Sequence, residues 1–335
     1  MRQIKSILLV AGFVPPDFER RYSPEYHPPI RTDSVHVAYH ISLFQALRAI
    51  CPNVIVARSP KDVLTLGKQC DYAVSVYSSD SLSSEESVVA AHCEAIGLPM
   101  LCGDALTLAL VEDKHACKLK ALKRGIPTAT WISVSPADAN VDWSPVRFPC
   151  VVKPRFGMSS EFINEEAVSK DRVTAERRLK RLLHEGQHAL VEAFVPGFDV
   201  TIACVGDGMQ NAQVGWPLKV TSDAPGNIQT RAQKMEGGKG RTRERLDAPH
   251  LAKRLNAYCK ELYKEFYPLD FFRADFRYNP ADDTVAFLEL NKPAINPGSN
   301  FVLSCSRDES FYVALVADLV KRGAARHGMT LSDPA

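Results

Sequence analysis

Arg273, Asp275, Glu289 and Asn291 are the residues of this chain whose types and spacing most directly suggest chemistry. They lie in two runs of alternating apolar and polar residues that flank Asn279-Pro280-Ala281-Asp282-Asp283, a segment of turn composition, so residues 271–291 read as a β-hairpin. With the turn centred on Asp282, Asp275 faces Glu289, Arg273 faces Asn291, and all four side chains leave one face. Two opposed carboxylates repel unless a cation lies between them. A hard divalent ion such as Mg²⁺ is held by carboxylate and amide oxygens of this kind, completed by substrate phosphates. The hairpin runs into a Pro- and Gly-rich loop, 292–298, where backbone can approach a ligand closely. A hairpin with one wet face would alternate in the same way, so the reading depends on the other polar residues.

Several of these could serve phosphates. Lys114 lies on a lysine-rich helical stretch, and Lys153 ends a buried strand just before Pro154. The turn after it, Arg155-Phe156-Gly157-Met158-Ser159-Ser160, can offer backbone N–H groups and the Ser159 and Ser160 hydroxyls to a phosphate, although an ordinary hairpin turn has the same composition. Glu192 ends an apolar run, followed by Phe194, Val195, the bend Pro196-Gly197, and Asp199 at the head of another strand. Residues 215–245 are rich in Gly, Lys and Arg and read as a mobile loop. Little aromatic residue is interleaved there, which disfavours a nucleic-acid stacking platform and favours a lid.

The elements that must position these residues fall into two patterns. Over the first hundred residues, strands at 4–13, 53–57, 71–77 and 99–102 alternate with helices at 35–50 and 85–96, which predicts an α/β domain with a doubly wound parallel sheet. The polar segment 15–34 leaves the carboxyl end of the first strand and reads as substrate-facing, or else as a surface insertion. From Asp104 the pattern becomes α+β: a helix at 106–124, strands at 128–134 and 148–154, a basic helix at 171–184, then strands at 188–195 and 199–205.

At 335 residues the chain exceeds one typical core, and two or three domains are expected. Hydrophobic and charged fractions of 45% and 24% are those of an ordinary soluble enzyme, and a net charge of +2 disfavours nucleic acid as the main partner. Nine cysteines, odd in number and without a CxxC, predict reduced thiols in a cytoplasmic protein rather than a disulfide framework or zinc site. Residues 1–14 have the basic-then-apolar look of a signal peptide. Pro15-Pro16 and charges follow in place of a cleavage site, so the run reads as a buried strand, and none is long enough to span a membrane.

The order Lys114, Lys153, a Gly/Ser turn, Glu192, Pro196-Gly197, Asp199, then RxD and ExN on a hairpin resembles the ATP-grasp superfamily, most closely the D-alanine–D-alanine ligase-like carboxylate–amine ligases, across residues 104–305. The resemblance implies a doubly wound N-terminal domain (1–103), a central lid domain (104–192) and a C-terminal domain with the metal site (193–335), the last two sandwiching ATP. It implies that Lys114 and Lys153 contact the phosphates, that Glu192, Phe194 and Val195 mark the adenine-binding strand, and that Asp199 takes the ribose hydroxyls. Asp275, Glu289 and Asn291 would hold Mg²⁺ or Mn²⁺, and Arg273 would steady the reacting carboxylate. In similar ligases a lysine from the 215–245 region reaches the γ-phosphate; Lys234 is the choice, with Arg231 and Lys239 left open. The implied reaction forms an acylphosphate from a small-molecule carboxylate and passes its acyl group to an amine, releasing ADP and phosphate, in a cytoplasmic enzyme with no nucleic-acid or membrane partner, and the resemblance is compatible with a homodimer. An ATP-grasp kinase or carboxylase would use the same nucleotide site, and a D-alanine–D-alanine ligase proper is a further alternative. Glu161-Phe162, Ala294 and residues 77–88 depart from the family pattern and favour an amino-acid ligase of a specialised biosynthetic pathway. Arg31, Arg155 and Ser299 are the candidate contacts to a substrate carboxylate, and Ser299 is taken with Arg273 and Lys234 as catalytic.

Overall fold

The computed structural model describes all residues except 12–33, 78–84, 139, 158–159, 161, 165, 207–210, 236–237, 293–294, 306–310 and 332–335. Strands that are apolar on both faces pair in parallel beneath helices. Here β1 (Arg2–Ile4), β2 (Ser6–Val10), α1 (Ser34–Ile50), β3 (Asn53–Ala57), α2 (Val63–Leu66), β4 (Tyr72–Ser75) and α3 (Glu85–Ala95) build the N-terminal unit. Its sheet is parallel, in the order β3-β2-β4, and Met100 makes only an isolated bridge to Ala73 where a strand is expected. The strand expected at 4–13 is two strands. The chain changes course at Lys5, whose N–H donates to Asp71 Oδ2 (2.9 Å), and β1 pairs instead with Met329–Leu331 at the far end of the chain.

The helix expected at 106–124 is also divided, into α4 (Ala105–Glu112) and α5 (Lys114–Lys123). Asp113 leaves helical geometry at φ −89°, ψ 98° and caps α5 by accepting from His115 and Ala116 N–H, which sets Lys114 at the first helical position. Next come β5 (Trp131–Val134), β6 (Cys150–Pro154), β7 (Val168–Ser169), α6 (Arg172–His184) and β8 (Ala189–Ala193). These strands form an antiparallel sheet in the order β5-β8-β6-β7, packed against α6 around a core of its own that includes Val152, Leu179, Leu182 and Val191.

The third unit comprises β9 (Phe198–Gly206), β10 (Ala212–Val214), β11 (Leu218–Ser222), α7 (Arg231–Met235), β12 (Arg241–Arg245), α8 (Pro249–Glu265), β13 (Phe271–Asn279), β14 (Thr284–Asn291), α9 (Asn300–Cys305), α10 (Tyr312–Arg326) and β15 (Met329–Leu331). Its antiparallel sheet runs β12-β11-β9-β13-β14, with β10 beside β9. Alternation buries Phe272, Ala274 and Phe276 on one face, where Tyr258 of α8 stacks on Phe276, and leaves Arg273, Asp275 and Arg277 on the other. Stretch 215–245, expected as a mobile loop, holds β11, α7 and β12, because Arg241–Arg245 pairs residue by residue with β11. The third unit shares one continuous apolar core with the N-terminal unit, and the core of the central sheet is separate. None of the nine cysteines forms a disulfide, and among the described residues no helix is long and apolar enough to cross a membrane.

Candidate active site

β13 and β14 set Arg273 opposite Asn291 and Asp275 opposite Glu289, so the four expected residues share one face. The register arises differently from the sequence argument. At the turn Asn279 pairs with Thr284, which centres the hairpin between Ala281 and Asp282; a β-bulge at Leu288 then advances β14 by one residue and brings Glu289 level with Asp275. On the other side of β13, β9 adds Thr201 beside Asp275 and Asp199 beside Arg277.

Asp275 accepts from Arg273 Nε (2.9 Å) and Nη2 (2.7 Å), Thr201 Oγ1 (2.6 Å) and Asn291 Nδ2 (3.0 Å). Glu289 Oε2 lies 3.4 Å from Lys114 Nζ. Burial pushes the Glu289 carboxyl up, but Lys114, Lys153, Lys234 and Arg273 together outweigh it and hold the group at about 2. Two carboxylates and an amide suit a hard divalent ion. No group of three or more His, Cys, Asp or Glu gathers among the described residues, so a metal here needs further oxygens of the kind a polyphosphate supplies. The residues fit Mg²⁺ held jointly with a nucleotide.

The opposite wall comes from the central sheet. Lys153 Nζ lies 3.0 Å from Glu192 Oε1, and the wholly buried Lys118 pairs with the other oxygen. Burial raises the Glu192 carboxyl, yet the two ammonium groups bring it below its ordinary value. Lys114 Nζ donates to Gly157 O (2.5 Å). Between β8 and β9 the chain passes Gly197 at φ +103°, where an added Cβ would lie 2.0 Å from Tyr278 O, so only glycine permits this bend. The bend delivers Asp199, which accepts from Arg277 Nη1 (2.9 Å) and Gln229 Nε2 (2.7 Å). Arg277 also donates to Val195 O (2.9 Å) and Asn227 O (2.8 Å) and lies over the Phe194 ring.

A cavity of about 190 Å³ between the two sheets is lined by Lys114, Lys153, Ser160, Glu192, Phe194, Val195, Asp199, Lys234, Arg273, Asp275 and Glu289. A second cavity, of about 350 Å³, shares Lys114, Lys234, Arg273 and Glu289 with the first, takes in Asn291 and Ser299, and reaches Tyr77 and Glu86 of the N-terminal unit. Lys234 projects from α7 into both; burial and the nearby Arg273 and Arg241 lower its ammonium to about 8, against the pull of Glu289. Arg231 and Lys239 line neither cavity. Arg155 also lines neither, and is engaged with Asp113 through Nε (2.8 Å) and Nη2 (2.5 Å). Ser299 Oγ accepts from Val302 N–H (3.2 Å). Arg31, Ser159, Glu161 and Ala294, with segments 15–33 and 78–84, lie outside the described residues.

Lys118, Thr201, Arg277, Gln229 and Arg241 escaped the sequence reading. Lys118 follows Lys114 by one helical turn, and Thr201 and Arg277 follow Asp199 and Asp275 by one strand period, so spacing could have found them. Gln229 and Arg241 sit where loop-like composition concealed a β-hairpin.

Residues 121–321 match the family described as D-ala D-ala ligase C-terminus. The chain is 25% identical over 249 residues to a D-alanine–D-alanine ligase of Oleidesulfovibrio alaskensis, covering 73% of this chain and 77% of that relative. A D-alanine–D-alanine ligase of Gluconobacter oxydans is 28% identical over 220 residues, covering 64% and 69%. The fold is that of the D-alanine–D-alanine ligase of Bacillus anthracis solved with ATP (TM-score 0.73, 17% identity, 97% of this chain and 99% of that one). The VanG D-Ala:D-Ser ligase of Enterococcus faecalis is also similar (TM-score 0.65, 15% identity, 95% and 99%). The family match spans more than half of the chain, and the chain therefore belongs to the D-alanine–D-alanine ligase C-terminal family: it is an ATP-dependent carbon–nitrogen ligase with the ATP-grasp fold.

Proposed function

We propose that the chain joins the carboxylate of one amino-acid substrate to the amine of another in a specialised biosynthetic pathway. The observation that carries this reading is a single cleft in which Lys114, Lys153 and Lys234, from three different elements, converge on the strand face bearing Arg273, Asp275 and Glu289. When bound, Mg²⁺ and ATP would supply the charge neutralisation and the γ-phosphoryl group that turn a carboxylate into an acylphosphate with release of ADP, and attack of the amine on the acyl carbon then displaces phosphate.

The chain's own residues do the rest. Asp275, Glu289 and Asn291 would hold the metal, and Lys114 and Lys153 would balance phosphate charge. Glu192, Phe194 and Val195 would bound the adenine, with Lys118 keeping Glu192 ionised. Asp199, braced by Arg277 and Gln229, would take the ribose hydroxyls. The Gly157–Ser160 turn would cover the phosphates, with Ser159 as a further contact. Lys234 would meet the γ-phosphate. Arg273 would steady the reacting carboxylate, and Ser299 would contact substrate in the second cavity. Because the two cavities share five charged residues, Lys114, Lys234, Arg241, Arg273 and Glu289, a carboxylate in one and a phosphate in the other meet at a common wall, and holding both in place removes much of the entropic cost of the reaction. The net charge of +2 supports small-molecule over nucleic-acid partners, and a cytoplasmic homodimer is part of the same proposal.

Incubation with ATP, Mg²⁺ and pools of L- and D-amino acids, with ADP, AMP and phosphate measured and products weighed by mass spectrometry, tests this. The expected result is amino-acid-dependent ADP and phosphate with a new dipeptide mass. D-alanyl-D-alanine alone would instead give the activity for which the relatives are named. A phosphorylated or carboxylated product would replace the ligase reading, and AMP with pyrophosphate would sink the acylphosphate route.

A further inference from the structure

On the outer face of the β11–β12 hairpin, Lys219 pairs with Glu244 at 2.7 Å, as on an ordinary solvated strand. On the site-facing side, Arg241 and Arg243 stand two residues apart and opposite Ser222 and Val220, with no acid across from either. Like charges at this spacing repel, and a strand needing only solubility would alternate their signs. Arg241 is half-buried and lines both cavities; Arg243 lies at the rim and lines only the second. Among the described residues neither lies within ion-pair distance of a carboxylate. Arg241 Nη2 donates to Gln229 Oε1 (2.5 Å), and Arg243 Nη1 donates to Gly298 O (2.7 Å) and Asn300 Oδ1 (3.3 Å), all neutral oxygens. Among the described residues Arg241 Nε is buried without a partner.

The other cations of the second cavity are accounted for. Lys114 meets Glu289, Arg273 meets Asp275, Lys292 meets Glu86, and Lys234 faces the wall shared with the first cavity. A nucleotide confined to the first cavity does not reach Arg243. Two guanidinium groups with open donors, on one side of a cavity with room for an amino acid, suit a bidentate anion. We propose that the second cavity takes an amino-acid substrate with an anionic side chain, a carboxylate or a phosphate, received by Arg241 and Arg243. This rests on the ligase reading above and adds the substrate class to it.

The test has two arms. Binding of a non-hydrolysable ATP analogue with Mg²⁺ is measured by calorimetry, and ADP release is measured with aspartate, glutamate and phosphoserine against asparagine, glutamine and serine, in both L and D forms. The expected result is nucleotide binding together with a kcat/KM at least about tenfold higher for the anionic members. That ratio should fall to near one in Arg243→Gln and in Arg241→Gln and return in part in Arg243→Lys, with melting temperatures confirming that each variant is folded. Nucleotide binding with neutral amino acids used equally well or better, with no stimulation by either class, or with a preference unchanged in both Gln variants overturns the proposal and leaves the ligase reading standing. Absence of nucleotide binding by the unaltered chain fails the ligase reading, and the proposal with it.

Discussion

Arg231, Lys234 and Lys239 lie in one short basic stretch, and residue type gives none of them precedence. Position separates them, since only Lys234 enters the cavities. Replacing it with Met should lower kcat/KM for ATP-dependent ligation by about 10²-fold or more, the scale of one lost transition-state donor. Arg231→Ala and Lys239→Ala should stay within about threefold, and a severe loss in Lys239→Ala would transfer the role. Because burial lowers the Lys234 ammonium to about 8, its charge in the free enzyme disappears as pH rises through that value. The kcat/KM profile, which reports the free enzyme, should therefore fall above about pH 8, and the Met variant should lack that limb. Asp275→Asn and Glu289→Gln should each cost about 10²-fold or more with a raised Mg²⁺ requirement, read from metal titrations of ADP release. The carboxylates were legible because strand alternation shows which residues share a face. Lys118 and Arg277 were passed over although spacing sets them beside Lys114 and Asp275, because each acts by holding another charged group rather than by resembling a ligand residue.

At the scale of elements, amphipathic helices and alternating strands could be read from periodicity, but interruptions decided by one side chain could not. Asp113 looks like any polar residue in a helical run, yet by capping α5 it divides the helix and fixes Lys114 at its head. The bulge at Leu288 was equally hidden, and the Asp275–Glu289 pairing came out right only because it offsets a turn centred half a residue away from Asp282. Composition failed outright at 215–245, where glycines serve turns between paired strands. Gly197→Ala should push the β8–β9 bend off Tyr278 and destabilise the fold by roughly 2–4 kcal/mol, measured by urea unfolding. Glu265 of α8 accepts from Lys120 (3.1 Å) and Lys123 (3.1 Å) of α5 and from Arg124 (2.6 Å) just beyond it. Burial raises this carboxyl, and the three donors outweigh that and hold it at about 2. Its folded value lies below its ordinary one, so the stabilisation is complete above roughly pH 4.5 and is lost as pH falls from there toward 2. Glu265→Gln should remove about 1–3 kcal/mol at pH 7 and flatten the acid limb of stability against pH.

For the whole molecule, chain length predicted more than one core, and packing shows how the cores divide. The N-terminal and C-terminal sheets share one core, to which α4 and α5 contribute Leu108, Val111, Cys117 and Ala121, while the central sheet keeps its own. We therefore propose that the mechanical boundary lies after α5 rather than at residue 104, with the central sheet as the unit that closes on the rest. A nucleotide held between Lys153 on one side and Asp275 and Glu289 on the other would join the two bodies. At a hundredfold excess over Kd, binding to the folded state alone contributes about 2.7 kcal/mol. Spread over the unfolding entropy of a chain this long, that corresponds to a rise in melting temperature of about 4 °C. Hydrogen exchange should show the same coupling as slower exchange in β5–β8 and α7 when Mg²⁺ and the ATP analogue are added, with β2–β4 little changed. Asp275→Asn should lose the metal-dependent part of both effects. Equal protection gained across the N-terminal sheet would mean that the nucleotide tightens the molecule as a single body, and the division by cores would then say nothing about closure.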